Sequence, residues 1–196
     1  MTMNRKAFLS SAGTIVGGLF MNHTFISVKK IKPEEFIFND DGKIPNSKYS
    51  LLIYHDAFIE KGNKAAEWLE DVFSQHNWTN SWRWGVYSYH HYHSNTHEVL
   101  GVYSGSAILQ LGGEKGQKFK VKPGDIIVIP AGTGHKNIGC SSDFSVVGAY
   151  PNGMQPDLMK GEPGERPSAD KNISKVPVPD ADPLLGADEG LCRIWK

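Results

Sequence analysis

Residues 85–105, GVYSYHHYHSNTHEVLGVYSG, and residues 124–135, GDIIVIPAGTGH, decide how this chain is read. Both stretches alternate with a period of two and are punctuated by glycine, the mark of short strands joined by tight turns. His91 and His93 are two positions apart, so on a strand they face the same side, while His90 and Tyr92 face the other. Ser94-Asn95-Thr96 reads as a turn, after which Glu98 opens the next strand and can place a carboxylate beside the two imidazoles. Pro130-Ala131-Gly132-Thr133-Gly134 ends the run DIIVI in a tight corner that can return His135 to the same place. Three imidazoles and one carboxylate form a mixed nitrogen and oxygen donor set for one divalent transition metal: Fe, Mn, Ni or Zn.

Working outward, further period-two segments follow: HEVLGVY, SAILQLGG, QKFKVKPG, DIIVIP and DFSVVGAY. The pattern predicts a mainly β fold, a compact antiparallel barrel or sandwich spanning residues 83–150. Leu111-Gly112-Gly113-Glu114-Lys115-Gly116 lacks both the spacing of a phosphate-binding loop and a following helix, and reads as a hairpin turn. Upstream, residues 31–82 hold short strands around Phe36-Ile37-Phe38 and Leu51–Tyr54, and one helix over Lys61–His76. On that helix Ala65, Trp68, Leu69, Val72 and Phe73 form a single apolar stripe that packs on the barrel. Downstream, seven of the eleven prolines fall in residues 151–196, which predicts an extended Pro-rich C-terminal tail without long regular elements. Its Leu184, Leu185, Leu191, Ile194 and Trp195 require it to dock, either on the barrel or on a second subunit as in a homodimer.

The two glycine and histidine segments together resemble the cupin signature. Gly85-x5-His91-x-His93-x4-Glu98-x6-Gly105 and Gly124-x5-Pro130-x-Gly132-x2-His135 match both halves at every defining position, with 18 residues between them. One position departs: Gly139 stands where an asparagine usually lies four residues after the histidine. From about residue 33 onward the chain is similar to a subgroup of single-domain bacterial cupins without an assigned activity. The resemblance implies a cupin jelly-roll β-barrel with a metal held by His91, His93, Glu98 and His135. It further implies a small-molecule ligand, with dioxygenase, decarboxylase or isomerase chemistry among the precedents. The alternative is a metal-containing cupin that binds a sugar or carboxylate without converting it. Acireductone dioxygenases share the ligand set and a similar corner before the last histidine. They usually carry an arginine two residues after the glutamate, where this chain has Leu100, so that activity is not assigned.

Counting back by twos from His91 puts Tyr89, Tyr87 and Gly85 on the inward face, and makes Tyr89 the candidate for a catalytic or ligand-orienting phenol. Leu100 and Val102 share the parity of Glu98 and give the site an apolar wall. His90 and His97 have the opposite parity and are expected outside the barrel. Trp78, Trp82 and Trp84 are candidates to cover the pocket.

Composition narrows the remaining classes. Of 196 residues, 21 are Lys or Arg and 21 are Asp or Glu, so no excess of positive charge favours nucleic acid or anionic lipid. Cys140 and Cys192 are too few for a disulfide scaffold and read as unreactive thiols. Residues 3–20, MNRKAFLSSAGTIVGGLF, place two cations ahead of an apolar run of about fourteen residues, too short for a membrane span of about twenty. Residues 1–30 therefore read as an export-signal-like segment. Its Asn4-Arg5-Lys6-Ala7-Phe8-Leu9 resembles a twin-arginine signal for the periplasm, with Lys6 in place of the second arginine. Without export the protein is cytoplasmic.

Overall fold

The computed structural model describes residues 31–196, so the export-signal-like segment lies outside the described residues. Two antiparallel sheets carry the fold. The larger has the order β1 (Glu34–Phe36), β2 (Leu51–Tyr54), β7 (Ile126–Ile129), β4 (Glu98–Ser104), β9 (Ser145–Pro151), β3 (Trp78–Trp84). The smaller has the order β6 (Gln117–Val121), β5 (Ala107–Leu111), β8 (His135–Cys140). Facing each other, they make a jelly roll, with β5 and β6 joined by the hairpin at residues 112–116. Nonconsecutive neighbours such as β2, β7 and β4 mark the crossed connections of that topology.

Strands β2, β7, β4 and β9 of the larger sheet are buried on both faces, which explains why they read as nearly continuous apolar runs, while the edge strands β1 and β3 are more exposed. Leu100, Val102, Ile127, Ile129, Leu51 and Ile53 turn inward toward Leu109 and Leu111 of the smaller sheet. Val99, Ile126, Val128, Val147 and Ala149 turn outward and are covered by α1 (Gly62–Gln75). The helix buries Ala65, Ala66, Leu69 and Phe73, with Trp68 and Val72 half-covered at the edge of the stripe. Gly101 lets it approach: a Cβ there would stand 2.6 Å from a Leu69 methyl, closer than side-chain carbons tolerate.

Three segments differ from the sequence expectation. Residues 85–90 do not form a regular strand, because the backbone bends at Ser88–Tyr89, and pairing resumes only at single bridges of His91 with His135 and of Tyr92 with Met159. HKNIGC forms β8, although its mostly half-exposed, polar residues carry no alternating apolar signal. WTNSWRW forms β3 at the edge of the larger sheet, with a bulge between Thr79 and Trp82 where Asn80 takes φ +54°. Strands β1, β2 and β3 are thus part of the larger sheet itself.

The tail docks on its own chain. Leu184, Leu191 and Trp195 enter the core between α1 and the larger sheet, and only the short helices α2 (Ser168–Ile173) and α3 (Leu191–Ile194) interrupt its extended path. Asp182 anchors it: this fully buried carboxylate accepts from the Tyr54 hydroxyl and from the backbone N–H groups of Leu184, Leu185 and Leu191 at 2.9–3.0 Å. Further bonds run from Trp78 Nε1 to the Ala181 carbonyl and from Trp195 Nε1 to the Ser50 carbonyl. Trp78 is therefore a core residue. Among the described residues no helix is long and apolar enough to cross a membrane.

Candidate metal centre

His91 and His135 meet across two backbone hydrogen bonds, 3.2 and 2.9 Å long, that bring their rings to a centroid separation of 3.9 Å. Gly132 makes the corner before His135 possible. It takes φ +88°, and its α-carbon lies where a side chain would strike the Asn46 carbonyl and Ile173. His93 stands 5.6 Å from each of the other two rings. The ligating nitrogens of His91, His93 and His135 fall within 4.8 Å of one another, and all three residues are buried. Glu98, at the start of β4, points its Oε2 at His135 Nε2 (3.1 Å) and His93 Nε2 (3.5 Å).

Each imidazole is oriented from behind by a backbone carbonyl. His91 Nδ1 donates to the carbonyl of Tyr89 (3.3 Å), His135 Nδ1 to that of Thr133 (3.1 Å), and His93 Nδ1 to that of Asp157. A carbonyl oxygen can only accept, so each Nδ1 carries a proton, and it is Nε2 of each ring that is left to serve the centre. Glu98 Oε2 is buried and receives no hydrogen bond. While the rings are neutral, lone pairs of one oxygen and several nitrogens converge with no donor among them, which is repulsive unless a cation sits between them. A shared proton relieves one such contact; a metal ion relieves all of them, and the residues fit one. Burial pushes the His91 pKa down to about 2, with repulsion from His135 adding to it, so this ring stays neutral and ready to ligate. Without a cation a proton takes its place: burial opposes charge on both groups, yet Glu98 raises the His93 pKa, and His93 and His135 hold the Glu98 carboxyl well below the ordinary range.

The other oxygen of Glu98 is held by a residue that sequence reasoning passed over. Tyr150 donates its hydroxyl to Glu98 Oε1 at 3.0 Å and accepts from Trp82 Nε1 at 2.9 Å. Because an indole N–H can only donate, the phenolic proton is committed to the carboxylate. Gly148 leaves room for the indole: a Cβ there would lie 2.2 Å from Trp82 Cε2. Parity along β9 carried the signal, since Val146, Gly148 and Tyr150 share the inward face.

Tyr89 keeps its ring beside those of Tyr87 (4.9 Å) and His91 (6.0 Å), with the backbone bent at Ser88–Tyr89. Its carbonyl reaches His91, but its ring is 40% exposed, stacks on Tyr87, and is not part of the cavity wall. His90 sits beside Glu114 (3.4 Å) in a separate depression with Lys136. His97 faces away from the centre, toward Trp195 and the tail, and is buried there: it accepts from the Ala131 N–H (2.9 Å) and donates to the Pro177 carbonyl (3.1 Å), tying the corner before His135 to the tail. Cys140 and Cys192 are free thiols distant from this cluster in the fold.

A cavity of about 350 Å³ opens onto the histidines. Trp82, Trp84, Tyr87 and Leu100 wall one part, and tail residues Gln155–Leu158 wall another. The tail is fixed there by the Tyr92–Met159 bridge and by Asp157, whose carboxylate binds the backbone N–H and hydroxyl of Ser94.

Fold and donor set together are those of a cupin, and residues 85–147 match the family described as Cupin domain. The chain belongs to the cupins. Over 163 residues it is 45% identical to the uncharacterized protein YjlB of Bacillus subtilis (strain 168), covering 83% of this chain and 96% of that protein. Among solved structures it is similar to an oxalate decarboxylase of Bacillus subtilis, with TM-score 0.34, 19% identity, and coverage of 60% of this chain and 29% of that one. It is also similar to the DMSP lyase DddQ of Ruegeria pomeroyi DSS-3, with TM-score 0.33, 16% identity, and coverage of 78% and 58%. The chain spans less than two thirds of the length of either.

Proposed function

We propose that the protein is a metal-dependent cupin that binds a small oxygen-donor molecule at His91, His93, Glu98 and His135 and converts it. The observation that carries this reading is the convergence of three buried imidazoles, two of which, His93 and His135, bring Nε2 within 3.5 Å of a buried carboxylate oxygen that receives no hydrogen bond. An Fe, Mn, Ni or Zn ion held there would supply Lewis-acid or redox chemistry to that molecule. The chain's own residues set the conditions. The carbonyls of Tyr89, Thr133 and Asp157 fix the tautomers of the ligand rings. Tyr150, locked by Trp82, holds Glu98 through Oε1 and leaves Oε2 free to ligate. Leu100 and the tail segment narrow the cavity and exclude water from the reacting molecule.

Elemental analysis of protein purified without a metal-affinity resin tests the first half of this reading; about one transition-metal ion per chain is expected. Reconstitution with Fe(II), Mn(II), Ni(II) or Zn(II) tests the second, by oxygen uptake and product formation across enediols, keto acids, oxalate, flavonols and sugars against a His91→Ala control. Ligand binding without conversion for every metal would leave a binding protein. From the twin-arginine-like residues 4–9 we also propose export to the periplasm; recovery of the full-length chain solely from cytoplasm after cell fractionation would refute it.

A further inference from the structure

The wall of the cavity says what charge its ligand carries. Among the described residues, those lining it include neither lysine nor arginine. The nearest cation in sequence, Arg83, lies between Trp82 and Trp84 on the opposite side of β3 and is held by both carboxylate oxygens of Glu70 at 2.7 and 2.6 Å. Lys160 of the tail lies over the ring of Tyr89, 5.2 Å from its centroid, in the neighbouring depression. Lys136 is bound to Glu114 there. The lining carries two carboxylates, Glu98 and Asp157. With neutral imidazoles and one divalent ion the formal charge of the centre is therefore zero. A dicarboxylate dianion would add two negative charges to a recess of low polarisability with no side-chain cation to meet them. A neutral molecule or a monoanion adds none or one.

The mouth says what body the ligand has. Trp84 is 75% exposed and Tyr87 is 50% exposed, so two large aromatic surfaces stand uncovered at the rim, with Leu158 half-exposed beside them. Large apolar side chains exposed together at a cavity are what a flat apolar partner covers. At about 350 Å³ the cavity is at the small end of ligand sites, which run from about 300 to 1,000 Å³, and suits a single or fused ring.

Resting on the metal-centre reading, we infer that the ligand is a flat, apolar or aromatic molecule with two adjacent oxygen donors of the hydroxy-ketone, enediol or catechol type, taken up neutral or singly charged. Small dicarboxylates are discriminated against. The oxygen pair meets the centre between His91, His93, His135 and Glu98, and the ring lies toward Trp84 and Tyr87.

The test uses the full chain loaded with Zn(II), which is redox-inert, so that binding is read without turnover. Maltol and 4-methylcatechol are titrated against oxalate and malonate by calorimetry and tryptophan fluorescence, with metal content measured on the same samples. The ring compounds are expected to bind at least about tenfold more tightly than the dicarboxylates. Trp84→Ala should weaken maltol by about five- to tenfold and leave oxalate within about twofold, because only the ring uses the indole. Leu158→Arg should strengthen oxalate by about tenfold, because it supplies the missing cation. Tighter oxalate binding by the metal-loaded parent, or equal loss of both ligands in Trp84→Ala, would overturn the inference and leave the metal centre standing. A chain that retains no metal would overturn both.

Discussion

Of the carboxylates buried among the described residues, Asp182 and Glu98 are opposites. Asp182, in the tail, accepts from a phenol and three backbone N–H groups, so its oxygens are saturated with donors. Glu98, inside the jelly roll, has one oxygen held by Tyr150 and the other facing the Nε2 atoms of His93 and His135 without receiving a hydrogen bond. The first carboxylate is part of the architecture: its hydrogen bonds replace water and hold the tail against α1. The second has one oxygen that receives no hydrogen bond, and on the proposed reading a metal ion completes it. Burial by itself does not separate a structural acid from a functional one; the direction in which neighbouring protons point does.

Substitutions at the two sites should break in different currencies. At the centre, His91→Ala or His135→Ala is expected to abolish stoichiometric metal. Chelation should then lower the melting temperature of the parent but not that of either variant, since a ligand that binds only the folded state stabilises it. Elemental analysis and calorimetry decide this, and equal metal content in variants and parent would sink the ligand set. At the anchor, Asp182→Ala strands three N–H groups and the Tyr54 hydroxyl in the interior and should cost about 3 kcal/mol in urea unfolding, with metal content per folded chain unchanged. Metal loss proportional to that destabilisation would merge the two sites into one.

Acid sharpens the contrast through His97, which joins the corner before His135 to the tail. Burial pushes its pKa down to about 4 from an ordinary 6.5. The folded state therefore favours the neutral ring, and that contribution is intact above pH 6.5 and lost as pH falls toward 4. The loss amounts to about 3 kcal/mol. The urea midpoint of metal-free protein should fall across this window, and fall less in His97→Leu. The smallest expected effect belongs to the two tyrosines. Tyr150→Phe frees Glu98 Oε1 and should weaken metal binding by about tenfold and alter the spectrum of the Co(II) derivative, whereas Tyr89→Phe should leave both unchanged. Identical Co(II) spectra for parent and Tyr150→Phe would remove the hydroxyl from any role in holding the carboxylate.

The sequence made the centre legible because its constraints are local. A period of two placed His91 and His93 together, and glycine at residue 132 marked the corner that returns His135. The strands β2, β4, β5, β6, β7 and β9 were legible for a related reason, as each has an inward apolar set. Strand β8 was not, because its residues are polar and half-exposed and it is held by its partner β5 rather than by burial. That Tyr89 stands outside the cavity wall was not legible, because no residue in YSYHH announces the bend at Ser88–Tyr89. Asp157 could not be found at all: its carbonyl comes to His93 from 64 residues away along an irregular path, and a backbone carbonyl leaves no trace in residue type.

That carbonyl also sets an order in time. The four donor residues of the centre are all synthesised by residue 135, but the group that orients His93 and the wall that closes the cavity belong to residues 155–159. A nascent chain ending after β9 has every ligand and an open, underdetermined site. On the proposed metal-dependent reading, tight metal capture is expected of a chain whose tail has already turned back across the mouth, so that the tail's docking would time loading as well as shape the pocket.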